Sequence, residues 1–354
     1  MVDFEIKTKQ LIDSLKGICA SYGLGNDGNE FKIITQVFLY KFLNDKFAFE
    51  LKKINKDVAN AGIEWEEAYI ALSDGDKDML RFELGGKTAF LNSEHLISTL
   101  FNRQNESDFA KLFDDTLRDI AKQNNDIFAV KTDGGTKITL FEQNGLSNFI
   151  SDESKRDSFC RAIINKLADF SFEQIFKEKF DFFATIFEYL IKDYNKDSGG
   201  KYAEYYTPHA VAKIMAAIMV KGDVKNVSCY DPSAGSGTLL MNIAHAIGED
   251  NCTIYSQDIS QKSSNLLRLN LILNNLVHSI SNIIQGNTML HPYFKDGNNL
   301  KKFDYIVSNP PFKMDFSDFR DDLDTKENKE RFFAGIPKIP AKKLESMAIY
   351  SLFL

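Results

Sequence analysis

A chain of 354 residues, 44% of them apolar and 26% charged, has enough apolar material for two domain-sized cores. Its formal net charge of -7 argues against strong autonomous DNA binding, because nonspecific affinity comes from clustered Lys and Arg that neutralise phosphates. The four cysteines (Cys19, Cys160, Cys229 and Cys252) and the five histidines show neither metal-ligand spacing nor a secreted disulfide framework, so no metal is expected and a reducing, cytoplasmic setting is. No apolar run approaches the ~20 residues that span a bilayer, and the opening Met1 to Ile6 lacks the basic and apolar regions of a signal peptide.

In chain order, the first half reads as helix. Apolar spacing predicts helices over Ile12 to Ala20 and over Phe31 to Phe49, the second carrying Phe38-Leu39-Tyr40-Lys41-Phe42-Leu43. Asp133-Gly134-Gly135 marks a turn. Phe170, Phe172, Ile175, Phe176 and Phe180, then Phe183, Ile186, Phe187 and Leu190, repeat at helical spacing and are expected in the core. Ser198-Gly199-Gly200 is the preferred boundary, giving a mainly helical domain over 1–195 and a second domain over 196–354.

The second half changes period. Thr207-Pro208 suits a helix start before an apolar helix at about Ala210 to Val220, with Thr207 as cap and Pro208 at the first helical position. Residues 224 to 240 then read as a strand, a turn with Gly235 and Gly237, and a helix running to about Ala246. Such a turn brings backbone close to a ligand and presents free helix N–H groups, although structural turns share the pattern. Thr253 to Asp258 reads as a strand ending in an acid, roughly 20 residues past the glycines, where a carboxylate can meet ribose hydroxyls. Asp258 could instead cap the helix expected over Gln261 to Leu276, a role open equally to Ser260. A third strand is expected over Ile280 to Ile284; Gly286-Asn287-Thr288 after it could place the Asn287 amide near an adenine, or simply form a turn. Strand, helix and strand in alternation indicate a parallel sheet with crossover helices, an α/β fold.

The last strand, Phe303 to Val307, leads into Ser308-Asn309-Pro310-Pro311-Phe312. An Asn amide followed by two prolines is a rigid pair of acceptors for a substrate NH2, although prolines also end a strand without other purpose. The Asn309 side-chain oxygen and the Pro310 carbonyl could take the two N–H protons of adenine's exocyclic amine. Localising its lone pair in this way favours attack on a methyl donor. Phe312 supplies a face on which a base swung out of a duplex can stack.

As an ordered set, Asp231 to Gly237, Asp258, Asn287 and Asn309 to Phe312 resemble the motifs of S-adenosyl-L-methionine-dependent methyltransferases that act on the N6 amine of DNA adenine. Glu204-Tyr205-Tyr206-Thr207-Pro208-His209 narrows the resemblance to the modification subunits of type I restriction-modification systems, to which the helical N-terminal half is also similar. That resemblance implies a Rossmann-like methyltransferase domain after the helical one. It implies cofactor contacts from Glu204, Tyr205, Tyr206, Thr207, Pro208, His209, Asp231, Gly235, Ser236, Gly237, Thr238, Asp258 and Asn287. Asn309, Pro310, Pro311 and Phe312 would hold the target adenine. Asn287 stands where many adenine methyltransferases carry Asp. The implied partners are DNA, a specificity subunit, a second modification subunit and a nuclease subunit, with no membrane. Methyltransferases of RNA or of protein glutamine share the Asn-Pro-Pro device and remain the alternative enzyme class.

After Phe312 a polar stretch, Asp315 to Glu330, suits a loop near the substrate, and a helix is expected from about Lys342. In the resembling family further strands follow. The chain therefore reads as shortened at its C-terminus, with the Asn309 strand near a sheet edge. A non-catalytic interaction subunit is the alternative that this shortening raises.

Overall fold

The computed structural model describes residues 2–25, 28–173, 175–177, 185–191, 207–311, 317–326, 328–329, 331–332 and 336. The chain divides into two compact units, one of residues 1–129, 138–202 and 271–281, the other of 130–137, 203–270 and 282–354. The change of unit at 202/203 lies near the boundary expected at 195/196, but two short segments, 130–137 and 271–281, fall on the opposite side of it.

The first unit is helical. Its first helix, Val2–Ser21, is longer than the apolar spacing alone indicates and buries Leu11, Ile12, Leu15 and Cys19. The helix Gly28–Ile54 has little amphipathic character because it is enclosed on most sides: Phe31, Ile34, Phe38, Phe42, Phe47 and Leu51 are all buried, and so are Lys41, Asn44 and Asp45. Phe38 and Phe42 meet Phe172 edge to face at 5.2 and 5.7 Å, an arrangement that aromatic quadrupoles favour. The buried polar groups are matched. Lys41 Nζ lies 2.9 Å from Asp45 Oδ1, while Asp45 Oδ2 accepts the Phe172 N–H at 2.7 Å. Asn44 donates to Asp45 and accepts the Ile97 N–H at 3.0 Å. Tyr40 donates its hydroxyl hydrogen to the His95 carbonyl at 2.6 Å.

The second unit holds the sheet. Its strands are β1 (Val130–Thr132), β2 (Lys137–Ile138), β3 (Val227–Asp231), β4 (Cys252–Asp258), β5 (Ile283–Gln285) and β8 (Tyr305–Ile306), in the order β2-β1-β5-β4-β3-β8. The pairs β1/β5, β5/β4, β4/β3 and β3/β8 are all parallel. A small antiparallel hairpin, β6 (Lys295–Asp296) with β7 (Asn299–Leu300), stands apart. The helices Thr238–Ile247 and Gln261–Leu273 follow β3 and β4 as crossovers, and the helix His209–Met219 packs against Thr238–Ile247. Parallel pairing brings the carboxyl ends of β3, β4, β5 and β1 to one edge, where ligands of open α/β sheets bind.

Several expectations shift. The first half is not wholly helical: the Asp133-Gly134-Gly135 turn joins β1 to β2, and β1 extends the parallel sheet beyond β5. Residues Val277–Asn282 form a 3-10 helix, so the strand expected from Ile280 begins at Ile283, and the preceding helix ends at Leu273 rather than near Leu276. β8 is the terminal strand among the described residues, and Ile306 on it is 44% exposed. Glu204, Tyr205, Tyr206, Phe312, the Ser198-Gly199-Gly200 boundary, Phe180, Phe183 and the helix from Lys342 lie outside the described residues. So does part of the stretch from Asp315 to Glu330. No described helix is long and apolar enough to cross a membrane.

Candidate functional site

The site is built on the carboxyl ends of β3 and β4. β3 delivers Asp231, 1% exposed, whose Oδ1 accepts the Ser233 N–H at 2.9 Å. The turn that follows needs glycine at two points: Gly235 has φ +55° and Gly237 φ +81°. A Cβ on Gly237 would also fall 2.1 Å from Leu267 Cδ1, so the turn lies flush against the helix Gln261–Leu273. Gly237 is the N-cap of Thr238–Ile247 and caps without a side chain. Ser236 and Thr238 pair their hydroxyls at 3.1 Å, and the Ser236 carbonyl accepts from Asn270.

At the end of β4, the structure gives the helix cap to Ser260 rather than to Asp258. Ser260 caps the next helix by accepting the Ser263 N–H at 3.2 Å. The Asp258 carboxylate instead joins two loops, with Oδ2 accepting Gly235 N–H at 2.9 Å and Oδ1 accepting Ser260 N–H at 2.8 Å. An ionised carboxylate has about four acceptor positions, so these two bonds and the nearby Ser263 hydroxyl leave capacity for a ligand hydroxyl. Burial pushes the Asp258 carboxyl above its usual range, against the pull of the Ser260 and Gly235 N–H groups.

Asp231 is pushed further, to about 8. Burial is the main cause, the Ser233 N–H opposes it, and the Asp258 charge adds to it. Folded Asp231 therefore keeps its proton up to about pH 8, whereas an unfolded Asp releases it near 3.9. Between those values the folded state binds more protons, and stability falls as pH rises, with a slope of up to ~1.4 kcal/mol per pH unit. Asp231→Asn, neutral throughout, should flatten that fall in thermal unfolding followed from pH 4 to 8. Parallel curves for the two proteins would assign the slope to another group.

Asn287 lies two residues after β5 and uses its oxygen locally: Oδ1 accepts Met289 N–H at 3.0 Å and Leu290 N–H at 3.3 Å. The oxygen thus serves the turn that Gly-Asn-Thr chemistry allowed. Thr288 donates to the Pro232 carbonyl at 2.7 Å, tying the end of β5 to the turn after β3.

β8 carries the Asn-Pro-Pro device beside β3. Val307 N–H bonds to the Tyr230 carbonyl at 3.0 Å, which places Ser308 next to the Asp231 turn, and Ser308 and Ser233 pair their hydroxyls at 2.7 Å. Asn309 is exposed and Pro310 buried. The Asn309 Nδ2 donates to Thr207 Oγ1 at 3.1 Å, and among the described residues no donor reaches its Oδ1. Thr207 therefore does not cap the helix His209–Met219; Pro208 is its N-cap, with φ -53° and ψ 133°. His209, in the first helical turn, lies 3.2 Å from Asn242 Nδ2 on the neighbouring helix.

The structure thus brings Thr207, Asp231, Gly235, Asp258 and Asn309 into one bonded set. Ser233 and Ser308 join the two motifs, a role that sequence reasoning missed; the signal was their position inside each motif. No group of three or more metal-ligating side chains occurs among the described residues.

Residues 178–353 match the family described as N-6 DNA Methylase. Those residues form a domain of that family. The chain is 25% identical over 333 residues to the type I restriction enzyme MpnII methylase subunit of Mycoplasma pneumoniae, covering 88% of this chain and 58% of the relative. It is 28% identical over 156 residues to the type I restriction enzyme MjaIX methylase subunit of Methanocaldococcus jannaschii, covering 42% of this chain and 26% of the relative. The type I restriction-modification system methyltransferase subunit from Streptococcus thermophilus shares its fold, with a TM-score of 0.69 at 21% identity over 90% of this chain and 66% of that one. The chain thus spans little more than half the length of the Mycoplasma relative. Its family name implies a methyl donor.

Proposed function

We propose that this chain transfers a methyl group from S-adenosyl-L-methionine to the N6 amine of adenine in DNA, as the modification subunit of a type I restriction-modification complex. The observation that carries the reading is Asn309: just past β8 its amide nitrogen is held by Thr207, and among the described residues its oxygen is left to accept. The neighbouring residues fit the donor. The turn through Gly235 and Gly237 gives close backbone approach, and the Asp258 carboxylate at the end of the adjacent strand has acceptor capacity for ribose hydroxyls.

When bound, S-adenosylmethionine supplies an electrophilic methyl on a sulfonium sulfur. The chain's own residues prepare the nucleophile. Asn309 Oδ1 and the Pro310 carbonyl accept hydrogen bonds from the two N–H groups of the adenine amine, draw it toward tetrahedral geometry and stabilise the positive charge that grows on nitrogen as it attacks; the surplus proton leaves to water after transfer. The target base must leave the duplex to reach them. A net charge of -7 leaves much of the DNA grip to partners, for which a specificity subunit, a second modification subunit and a nuclease subunit are the proposed set.

Calorimetric titration of S-adenosylmethionine into this chain tests the cofactor assignment. Saturable binding is expected, weakened roughly 10- to 100-fold in Asp258→Ala, which loses charged-group hydrogen bonds worth about 1.5–3 kcal/mol. A folded chain that takes up no ligand would overturn the assignment.

A further inference from the structure

We infer that Asp133, on the β1–β2 turn, is the acceptor for the exocyclic amine of the cofactor's adenine. The inference rests on the S-adenosylmethionine reading above and adds a residue from the first half of the sequence to that site.

The argument begins with strand pairing. Thr132 sits opposite Gln285 in the parallel β1/β5 register, and Asp133 N–H bonds to the Gln285 carbonyl at 2.9 Å. Gln285 is in turn opposite Asp258, and Gly286 N–H bonds to the Asp258 carbonyl at 2.8 Å. Asp258, Gln285 with Gly286, and Asp133 therefore stand side by side at the ends of three adjacent strands. At a strand spacing of ~4.8 Å, the backbones of Asp258 and Asp133 are separated by roughly 10 Å. An adenosine held at its ribose by Asp258 spans such a distance to its amine.

Side-chain placement supports the same direction. The Asp133 carboxylate lies over Gly286, where a Cβ would meet its Oδ2 and Cγ at 2.5 Å; only glycine leaves the carboxylate that position. Among the described residues its one ionic partner is His291 Nδ1 at 3.6 Å, and no hydrogen-bond donor occupies it. The other side chains at the end of β5 are engaged. Asn287 Oδ1 accepts two backbone N–H groups, and Gln285 donates its amide to the Ile259 carbonyl at 2.7 Å. Ile259, directly after Asp258, is 54% exposed. An exposed apolar side chain next to the Asp258 carboxylate suits a nucleoside, whose flat ring is apolar and whose ends are polar.

The test compares S-adenosylhomocysteine with its 6-deamino analogue, which has hydrogen in place of the amine, by calorimetry on the full chain. The chain should prefer the amine-bearing ligand by roughly 10- to 100-fold, the range for a hydrogen bond to a charged group. Asp133→Ala should lose that preference by weakening the amine-bearing ligand alone. Gly286→Ala should do the same by displacing the carboxylate, and gives a second variant should Asp133→Ala fail to fold. Equal weakening of both ligands with the preference intact would make Asp133 a structural residue and overturn the inference. So would equal affinity of the unaltered chain for both ligands, while leaving the cofactor reading standing. Binding of neither ligand by the folded chain would remove the cofactor reading and the inference together.

Discussion

Asn309→Ala should reduce adenine methylation by the assembled complex by about 10²–10³-fold, the range for removing one group that stabilises charge in a transition state. Affinity for S-adenosylmethionine should stay within about twofold, because the amide sits at the end of β8 and not on the turn between Asp231 and Asp258. Transfer of labelled methyl to duplex DNA, measured alongside ligand calorimetry, reads both quantities. The separation of the two effects is what identifies the role. A variant that lost both equally would place Asn309 in the support of the cofactor turn, through its bond to Thr207 or the Ser308–Ser233 pair beside it.

Asp45→Ala should unfold the first unit far more readily, with a cost of about 3–5 kcal/mol for breaking one side of a buried ion pair. Only 6% of the Lys41 side chain and 8% of the Asp45 side chain is exposed, so the ammonium left behind cannot recover its hydration. The Phe172 N–H loses its acceptor as well. Trp65, the one tryptophan, lies in the same unit and reports its unfolding. With an m-value of about 2 kcal/mol/M, the urea midpoint should fall by roughly 1.5–2.5 M. Adding Lys41→Met should restore part of the loss by removing the stranded charge. A midpoint within about 0.3 M of the parent would mean that water reaches Lys41 and that the pair contributes as a surface one does.

Asp231, the glycine turn, Asp258 and Asn309 were legible in the sequence because each interrupts an apolar, β-branched run with residues that a strand interior rejects. The parallel sheet followed from the alternation of such runs with helices, and parallel pairing brings their ends to one edge. β1 was not legible. Val130-Lys131-Thr132 is too short to show a period, and its partner β5 is distant in sequence, so only its turn could be read. Ile280 to Ile284 misled for a related reason: a short apolar run does not distinguish a strand from a buried 3-10 turn, and Val277–Asn282 took the second form. The Thr207–Asn309 bond joins residues with no local pattern in common, so the cap and the cofactor contact expected of Thr207 gave no pointer to Asn309.

The placement of residues 130–137 in the second unit also constrains synthesis and dissection of the chain. The ribosome delivers Val130–Thr132 long before Ile283–Gln285, so the sheet cannot be completed until the chain has grown past β5, however early the first helices form. No single cut separates the two units. A gene fragment beginning at residue 196 would encode β3, β4, β5 and β8 yet leave the outer side of β5 without its native neighbour, an open hydrogen-bonding edge that invites another copy to pair there.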